Sequence, residues 1–368
     1  MGRAPGQLIT ALLCCAVMAT ACSSATGDGS SDRTARTAAP SATEPSLVMT
    51  GGESGFAVWP SGKAWVLLRT DDGFRHVQNA TPPGVPTDGG LVVSWGGSSL
   101  AVAVGPVERL LRSPLLTTTG TGEWMTDELP GGVVSSPAAV ALRPAGVTVL
   151  TTGRGGTLLT STGTGWQEVV DARALPDASG LALDGVTWAG DAFGWLTGHR
   201  PSSGAVAFQT RDGGRTWAAI GAPDGSAVAA LAPCGQGATW SLPELAASGR
   251  LRVLRTRDTG ATWSAGQPLP ASSGRPVWGC QGEEVWAVGG SGTGDRIYAS
   301  SDGGASWTAE GPTPSGLTAL APTGQTDGFA AGGGRSPVLW SVTGAGKAFT
   351  RIDLPGWVAT VGTGTGHD

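Results

Sequence analysis

Short apolar runs alternate with polar, glycine-rich turns along most of the chain. The runs are rich in Val, Thr and Leu and span four to seven residues, a composition that favours strands. After residue 22, no stretch keeps its apolar residues at the spacing of about 3.6 that marks a long amphipathic helix. We therefore predict an all-β chain of many short strands with little helix.

One eight-residue pattern, which we call the box, occurs three times in the same form. It reads hydroxyl residue, any, Asp, any, Gly, any, hydroxyl residue, Trp. The Asp can accept hydrogen bonds from backbone N–H groups of a tight turn, and the Gly permits the positive φ that such a turn needs. The Trp is predicted to re-enter a strand and to bury roughly 150–250 Å² in the core. The defining residues are Thr210, Asp212, Gly214 and Trp217, then Thr256, Asp258, Gly260 and Trp263, and finally Ser300, Asp302, Gly304 and Trp307.

The box resembles the Asp-box of the bacterial neuraminidase repeat, which is found in sialidases, sortilin-type receptors and photosystem-II assembly propellers. The stretch Gly194-Trp195-Leu196-Thr197-Gly198, which precedes one box, is most similar to the photosystem-assembly type. This resemblance implies a β-propeller in which each box joins the third and outer strands of a blade. It implies a fold rather than an activity, because the box is a structural turn in those families.

Weaker copies extend the box pattern over most of the chain. The first positions of all the copies are residues 70, 117, 160, 210, 256, 300 and 341, so the intervals are 41 to 50 residues. One four-stranded propeller blade occupies about 40–45 residues. We therefore predict a seven-bladed β-propeller of four-stranded antiparallel blades over residues 47–363. Residues 357–362 are expected to close the ring as the inner strand of the first blade, with Leu47-Val48-Met49 as the alternative.

The first 46 residues have the features of a secretion signal and a tether. Arg3 precedes an apolar run that ends at Met18, and Ala19-Thr20-Ala21-Cys22 is similar to a lipobox. We predict a lipoprotein signal peptide over 1–21, lipidation of Cys22 and a flexible tether over 22–46. The domain would then be anchored on the extracytoplasmic face of the cell membrane; ordinary signal cleavage and secretion is the alternative. Residues 364–368 are expected to form a disordered tail.

The net charge limits the classes of partner that the chain can bind, and the cysteines indicate a possible cross-link. A net charge of −5 argues against bulk nucleic-acid binding, which requires a dense basic surface. Cys234 and Cys280 each lie six residues before a Trp, so we expect them at equivalent places in adjacent blades. They could form a disulfide in an oxidising compartment, or remain as two buried thiols.

Patterns typical of catalysis and of metal binding are scarce. The sialidase resemblance would require a Tyr nucleophile, but the single tyrosine, Tyr298, is predicted to lie within a strand. Another glycosidase could use two carboxylates from different loops, although solvated loop charges are the simpler interpretation. The candidate carboxylates are Asp88, Asp127, Glu128, Asp171, Asp177, Asp224 and Glu244. No His or Cys spacing indicates a metal site, and we expect no cofactor.

A cationic residue follows the second strand of every predicted blade. On a closed ring these residues would surround the face opposite the boxes and could bind carboxylates or phosphates. The simpler alternative is that each Arg flanks a strand and donates to nearby carbonyls. The residues are Lys63, Arg112, Arg154, Arg200, Arg250, Arg296 and Arg335. The sequence thus favours a monomeric, non-catalytic binding or assembly platform for a protein or glycan partner, with a sialidase-like glycoside hydrolase as the competing hypothesis.

Overall fold

The computed structural model describes residues 45–61, 64–85, 87, 91–96, 99–104, 114–118, 123–129, 137–152, 156–162, 165–200, 204–220, 233–236, 238–245, 250–271, 276–290, 294–333 and 336–360. Within these ranges the strands form seven four-stranded antiparallel sheets, which we call blades one to seven in chain order. The all-β class and the four-stranded blade therefore agree with the expectation from the sequence.

Each blade is built from four consecutive strands, running from the inner to the outer edge. Blade one contains β1 (Ser46–Met49), β2 (Gly55–Ser61), β3 (Ala64–Thr70) and β4 (Gln78–Asn79). Blade two contains β5 (Leu91–Gly96), β6 (Ser99–Val104), β7 (Pro114–Thr118) and β8 (Met125–Glu128). Blade three contains β9 (Pro137–Arg143), β10 (Gly146–Thr151), β11 (Thr157–Ser161) and β12 (Trp166–Asp171), which a 3-10 helix (Ala172–Ala174) follows.

The remaining blades repeat the same order. Blade four contains β13 (Ala182–Ala189), β14 (Phe193–Arg200), β15 (Gly204–Thr210) and β16 (Ala218–Ala219). Blade five contains β17 (Cys234–Gln236), β18 (Thr239–Leu245), β19 (Leu251–Thr256) and β20 (Ser264–Ala265). Blade six contains β21 (Trp278–Gln281), β22 (Glu284–Gly290), β23 (Asp295–Ser300) and β24 (Thr308–Pro312). Blade seven contains β25 (Leu317–Pro322), β26 (Gly328–Gly332), β27 (Val338–Thr343) and β28 (Ala348–Ile352), and helix α1 (Gly356–Thr360) follows it.

The predicted closure of the ring by a C-terminal strand is wrong. The inner strand of blade one is β1, in which Val48 pairs with Phe56 of β2, so the alternative drawn from Leu47-Val48-Met49 is correct. Residues 356–360 are helical instead, and the Val358 N–H donates to the Pro355 carbonyl at 3.0 Å. Proline fixes a φ that suits the start of a helical turn, so Pro355 favours a helix in the residues that follow it.

Side chains, rather than a shared strand, hold blade seven against blade one. The Thr318 hydroxyl donates to the Pro45 carbonyl at 2.9 Å, and the rings of Phe74 and Phe329 meet edge to face with centroids 5.3 Å apart. Trp357 and Val358 of α1 pack on the same apolar cluster, which includes residues of both blades. The C-terminal helix therefore covers this junction instead of adding a strand to it.

Cys234 and Cys280 form a disulfide that joins blades five and six, with their Cα atoms 6.3 Å apart. The sequence suggested that the two cysteines occupy equivalent positions in adjacent blades, but their positions differ. Relative to the box, Cys234 is opposite Ser241 while Cys280 is opposite Val285, a difference of one position in register. Because side chains alternate between the faces of a strand, this offset points the Cys234 side chain toward blade six and the Cys280 side chain toward blade five. They can therefore meet between the two blades.

Candidate binding face

The box turns form one face of the ring, and four of them share one set of hydrogen bonds. These four boxes begin at Thr70, Thr210, Thr256 and Ser300. The hydroxyl at position one donates to the Asp at position three at 2.7–3.1 Å and accepts the N–H of position five at 2.7–2.9 Å. The same carboxylate accepts the N–H of position seven at 2.8–3.0 Å. The first box is therefore a complete turn, although its sequence seemed degenerate.

Positions four and five of the box adopt left-handed backbone conformations. The φ values are +74° and +93° for Gly213 and Gly214, and +71° and +88° for Gly303 and Gly304. In blade seven three consecutive residues are left-handed: Gly344, Ala345 and Gly346, with φ values of +63°, +57° and +106°. The Ala345 N–H donates to the Thr326 carbonyl, as the Gly213 N–H does to the Ala192 carbonyl, and Val342 pairs with Gly328, so the box there begins at Val342 rather than at residue 341. The sequence missed this shift because Val342 has no hydroxyl group.

The box tryptophans pack differently from the expectation. Trp217, Trp263 and Trp307 are half-buried at the edges of apolar clusters, whereas Trp65, Trp195 and Trp286 are fully buried. The Trp307 Nε1–H donates to the Gln267 carbonyl of the preceding blade at 2.9 Å. A Cβ added at Gly304 would lie 2.6 Å from that of Val253, also in the preceding blade. The box therefore fixes the spacing between blades as well as a turn within one blade.

Hydrogen bonds lower the pKa values of the box carboxylates. The hydroxyl and backbone N–H of Thr216 lower the pKa of Asp212 to about 2, and the backbone N–H of Thr262, with the hydroxyls of Thr256 and Thr262, lowers that of Asp258 to about 2. Both values lie below the ordinary pKa of 3.8 for Asp. A carboxyl group with a lowered folded-state pKa stabilises the fold above its ordinary pKa, and this contribution is lost as the pH falls.

We expect the stability of the protein to decrease steeply between about pH 4 and pH 2, where the box carboxylates become protonated. Asp212→Asn combined with Asp258→Asn should lower the urea midpoint at pH 6 and flatten its dependence on pH in the acidic range. Urea unfolding from pH 6 to pH 2 measures both effects. Asp353→Asn is the control, because Asp353 is exposed and lies outside the boxes. A double variant that keeps the wild-type slope would contradict this role.

One backbone contact and one side-chain contact show which loops lie on each face of the ring. The Gly213 N–H donates to the Ala192 carbonyl at 2.9 Å, so the box shares a face with the hairpin between the first and second strands. On the opposite side, Arg200 at the end of β14 reaches the connector between blades three and four. We call this opposite side the loop face. It carries the loops after each second strand together with the connectors between blades.

Three of the seven predicted cationic residues of the loop face lie within the described residues. The Arg200 Nε donates to the Asp177 carbonyl at 2.9 Å, and its Nη2 donates to the Pro176 carbonyl at 3.2 Å. The Arg250 Nε likewise donates to the Leu269 carbonyl at 2.9 Å. Arg296 is half-buried at the start of β23. Among described residues, none of the three has a carboxylate partner. Lys63, Arg112, Arg154 and Arg335 lie outside the described residues, as does Cys22.

The described candidate carboxylates lie in different environments. Glu244 is buried with an exposed fraction of 0 %, and its Oε2 accepts from the Arg252 Nε at 2.5 Å. Asp171 accepts from Arg173 and from the first turn of the 3-10 helix. Asp127 and Asp177 are exposed. Asp88, Asp224 and the side chain of Glu128 lie outside the described part of the chain.

Sequence reasoning missed one acid–base pair at the loop face. The strands β13 and β14 pair with a bulge at Asp184, and the Asp184 Oδ2 lies 2.7 Å from the His199 Nδ1. Burial raises the pKa of Asp184, and the hydrogen bond from His199 opposes this effect. A bulge depends on register, so no spacing in the sequence signals the pair.

No protein-family model and no curated protein sequence matches the chain. Solved structures do match. YCF48 from Cyanidioschyzon merolae aligns with a TM-score of 0.53 and 18 % identity, over 83 % of this chain and 98 % of its own. YCF48 bound to D1 peptide aligns with a TM-score of 0.51 and 18 % identity, over 83 % and 95 %. The chain is a β-propeller. A prolyl endopeptidase also aligns, with a TM-score of 0.58 and 14 % identity, over 84 % of this chain and 49 % of its own.

These identities establish the propeller fold and leave the activity of the chain open. Among described residues, no group of three His, Cys, Asp or Glu side chains is placed to hold a metal ion. The same part of the chain contains no helix that is both long and apolar enough to cross a membrane. On the loop face, the described Arg200 and Arg250 side chains donate to backbone carbonyls of the connectors.

Proposed function

We propose that this β-propeller is a non-catalytic platform whose loop face binds an acidic segment of a protein partner. The observation that carries the proposal is the set of hydrogen-bond partners of Arg200 and Arg250. Backbone carbonyls hold both guanidinium groups, and no described carboxylate neutralises them. The structure of YCF48 bound to D1 peptide, a propeller of similar fold, supports a peptide as the kind of partner.

The carbonyl contacts favour binding because they orient the two side chains in advance. Each contact to Arg200 and Arg250 uses Nε or Nη2, so the Nη1 side of either group points to no described acceptor. An oriented guanidinium loses less side-chain entropy when it binds a carboxylate than a mobile one does. The two arginines can therefore act as fixed cationic points at the rim of blades four and five.

A synthetic peptide tests this directly. A fluorescein-labelled peptide of alternating Glu and Ala should bind the wild-type protein at low salt, and the matched Gln–Ala peptide should not. Arg200→Gln combined with Arg250→Gln is expected to weaken binding at least about tenfold, because two charge-assisted hydrogen bonds are lost. Fluorescence anisotropy measures the affinity. Arg211→Gln with Arg215→Gln is the control, since both residues are exposed on the box face. Equal loss in both variants would contradict the assignment of the loop face.

The proposal includes attachment to the extracytoplasmic face of the membrane through Cys22. The similarity of residues 19–22 to a lipobox supports this location, and a tether over 22–46 would leave the loop face accessible. A Cys22→Ser variant should move from the membrane fraction to the soluble fraction. Retention of that variant in the membrane fraction would remove the anchor from the proposal without affecting the binding face.

A further inference from the structure

The pair formed by Asp184 and His199 faces blade five. Side chains of β14 alternate, and Trp195 packs with Trp240 and Leu242 of blade five. His199 lies four residues after Trp195 and so points to the same side. Glu244 lies on the corresponding side of blade five, because it follows Trp240 and Leu242 at the same alternation. The junction between blades four and five therefore has polar side chains at its loop-face end.

Blade seven shows what a bulge at this position does. The register of β25 and β26 slips at Thr318, which occupies the place of Asp184 in blade four. The Thr318 hydroxyl donates to the Pro45 carbonyl of the next blade in the ring. The bulge thus directs a polar group toward the following blade. In blade four that polar group is a carboxylate, and it is used to hold an imidazole.

The hydrogen bond to Asp184 fixes which nitrogen of His199 carries the proton. An ionised carboxylate only accepts, so Nδ1 donates and the neutral ring presents Nε2 as an acceptor. Asp184 is 15 % exposed and His199 is 48 % exposed, which leaves the ring open to solvent. Within the described residues Nε2 has no partner. Protonation would convert Nε2 from an acceptor to a donor, and so reverse its preference for ligand groups.

The charged groups of the neighbouring elements are few among described residues. Asp184 is on β13, and Arg200 points away toward the connector that contains Asp177. In blade five, Glu244 is paired with Arg252, and Arg250 donates to a connector carbonyl. Among the described groups at this junction, the His199 Nε2 is the atom whose hydrogen-bonding role changes when the ring is protonated.

We propose that His199 makes recognition of the partner dependent on pH. When the ring is protonated, its Nε2–H donates to a carboxylate of the acidic peptide; when it is neutral, the Nε2 lone pair faces that carboxylate and the contact is lost. This inference rests on the proposed function, because it concerns the same peptide at the same face. Asp184 is a positioning residue in this scheme, since it acts by orienting the ring.

The Glu–Ala peptide should bind the wild-type protein about tenfold more tightly at pH 5.5 than at pH 8, the size of one charge-assisted hydrogen bond. Its carboxylates remain ionised over that range, so the change belongs to the protein. His199→Gln should abolish the difference, and His199→Arg should bind tightly at both values. His76→Gln is the matched control, because the His76 Nδ1 lies 2.5 Å from the Asp72 Oδ2 on the box face. It should keep the wild-type dependence on pH.

Two outcomes separate this inference from the proposed function. If the wild-type protein prefers the Glu–Ala peptide but binds it equally at both pH values, the role of His199 is overturned and the platform stands. A His199→Gln variant that retains the tenfold difference has the same meaning. If the wild-type protein does not prefer the Glu–Ala peptide at either pH, the acidic-segment proposal itself fails, and the inference fails with it.

Discussion

Replacing Arg252 with leucine is expected to lower the free energy of unfolding by about 3–5 kcal/mol. Arg252 holds Glu244, whose side chain is 0 % exposed, and Arg252 is itself only 11 % exposed. Removal of the guanidinium takes a charged partner away from a carboxylate that is fully buried in the folded protein. Urea unfolding monitored by tryptophan fluorescence measures the loss. The effect should be among the largest for any single substitution in blade five.

A double variant distinguishes loss of charge pairing from loss of packing. Arg252→Leu combined with Glu244→Leu should recover most of the stability, because no buried charge then remains unpaired. Arg351→Leu is the surface control: its partner Asp353 has a 90 % exposed side chain, and such pairs contribute at most about 1 kcal/mol. A loss below about 1 kcal/mol for Arg252→Leu would show that solvent or another group compensates Glu244.

Removal of the disulfide between Cys234 and Cys280 is expected to cost about 4 kcal/mol in the chain-entropy model. The bond closes a loop with a sequence separation of 46 and joins two blades that no strand pairing connects. The variant with Cys234→Ala and Cys280→Ala should therefore unfold at a lower urea concentration than the oxidised wild-type protein. The same measurement on reduced wild-type protein should give a similar loss.

The reductant itself provides the control for this experiment. Adding it to the double variant should change nothing, because Cys234 and Cys280 are then absent and only Cys14, Cys15 and Cys22 remain in the sequence. A wild-type protein that loses less than about 1 kcal/mol on reduction would indicate that the contacts between blades five and six are sufficient without the bond.

The box turns were the part of the fold that the sequence predicted best. The box pattern located turns at Thr210, Thr256 and Ser300, because a hydroxyl, an Asp and a Gly at fixed offsets satisfy the same backbone groups each time. It failed where other residues take the same conformation. Val342 begins a turn without a hydroxyl, and Phe74 adopts a φ of +62° in place of glycine.

The sequence pattern could not predict the register of the strands or the conformation of the chain termini. A shift of one residue in a strand reverses the direction of its side chains. Such a shift between blades five and six turns the side chains of Cys234 and Cys280 toward each other. The same argument applies to the bulge at Asp184, which has no signature in the sequence. For the candidate site, the sequence identified Arg200 and Arg250 and offered carbonyl contacts as the simpler alternative, which is what both side chains make. It did not identify which carbonyls accept, because these belong to connectors about 20 residues away in the chain.

Since β1 belongs to blade one, every blade is a continuous piece of the chain. A chain emerging from the ribosome can therefore complete each blade from local pairings before the next has been synthesised, and such short-range contacts form fast. The contact between Thr318 and Pro45 spans 273 residues and cannot form before blade seven has been synthesised. We therefore expect the docking of blade seven on blade one to be a late step in the folding of the newly made protein.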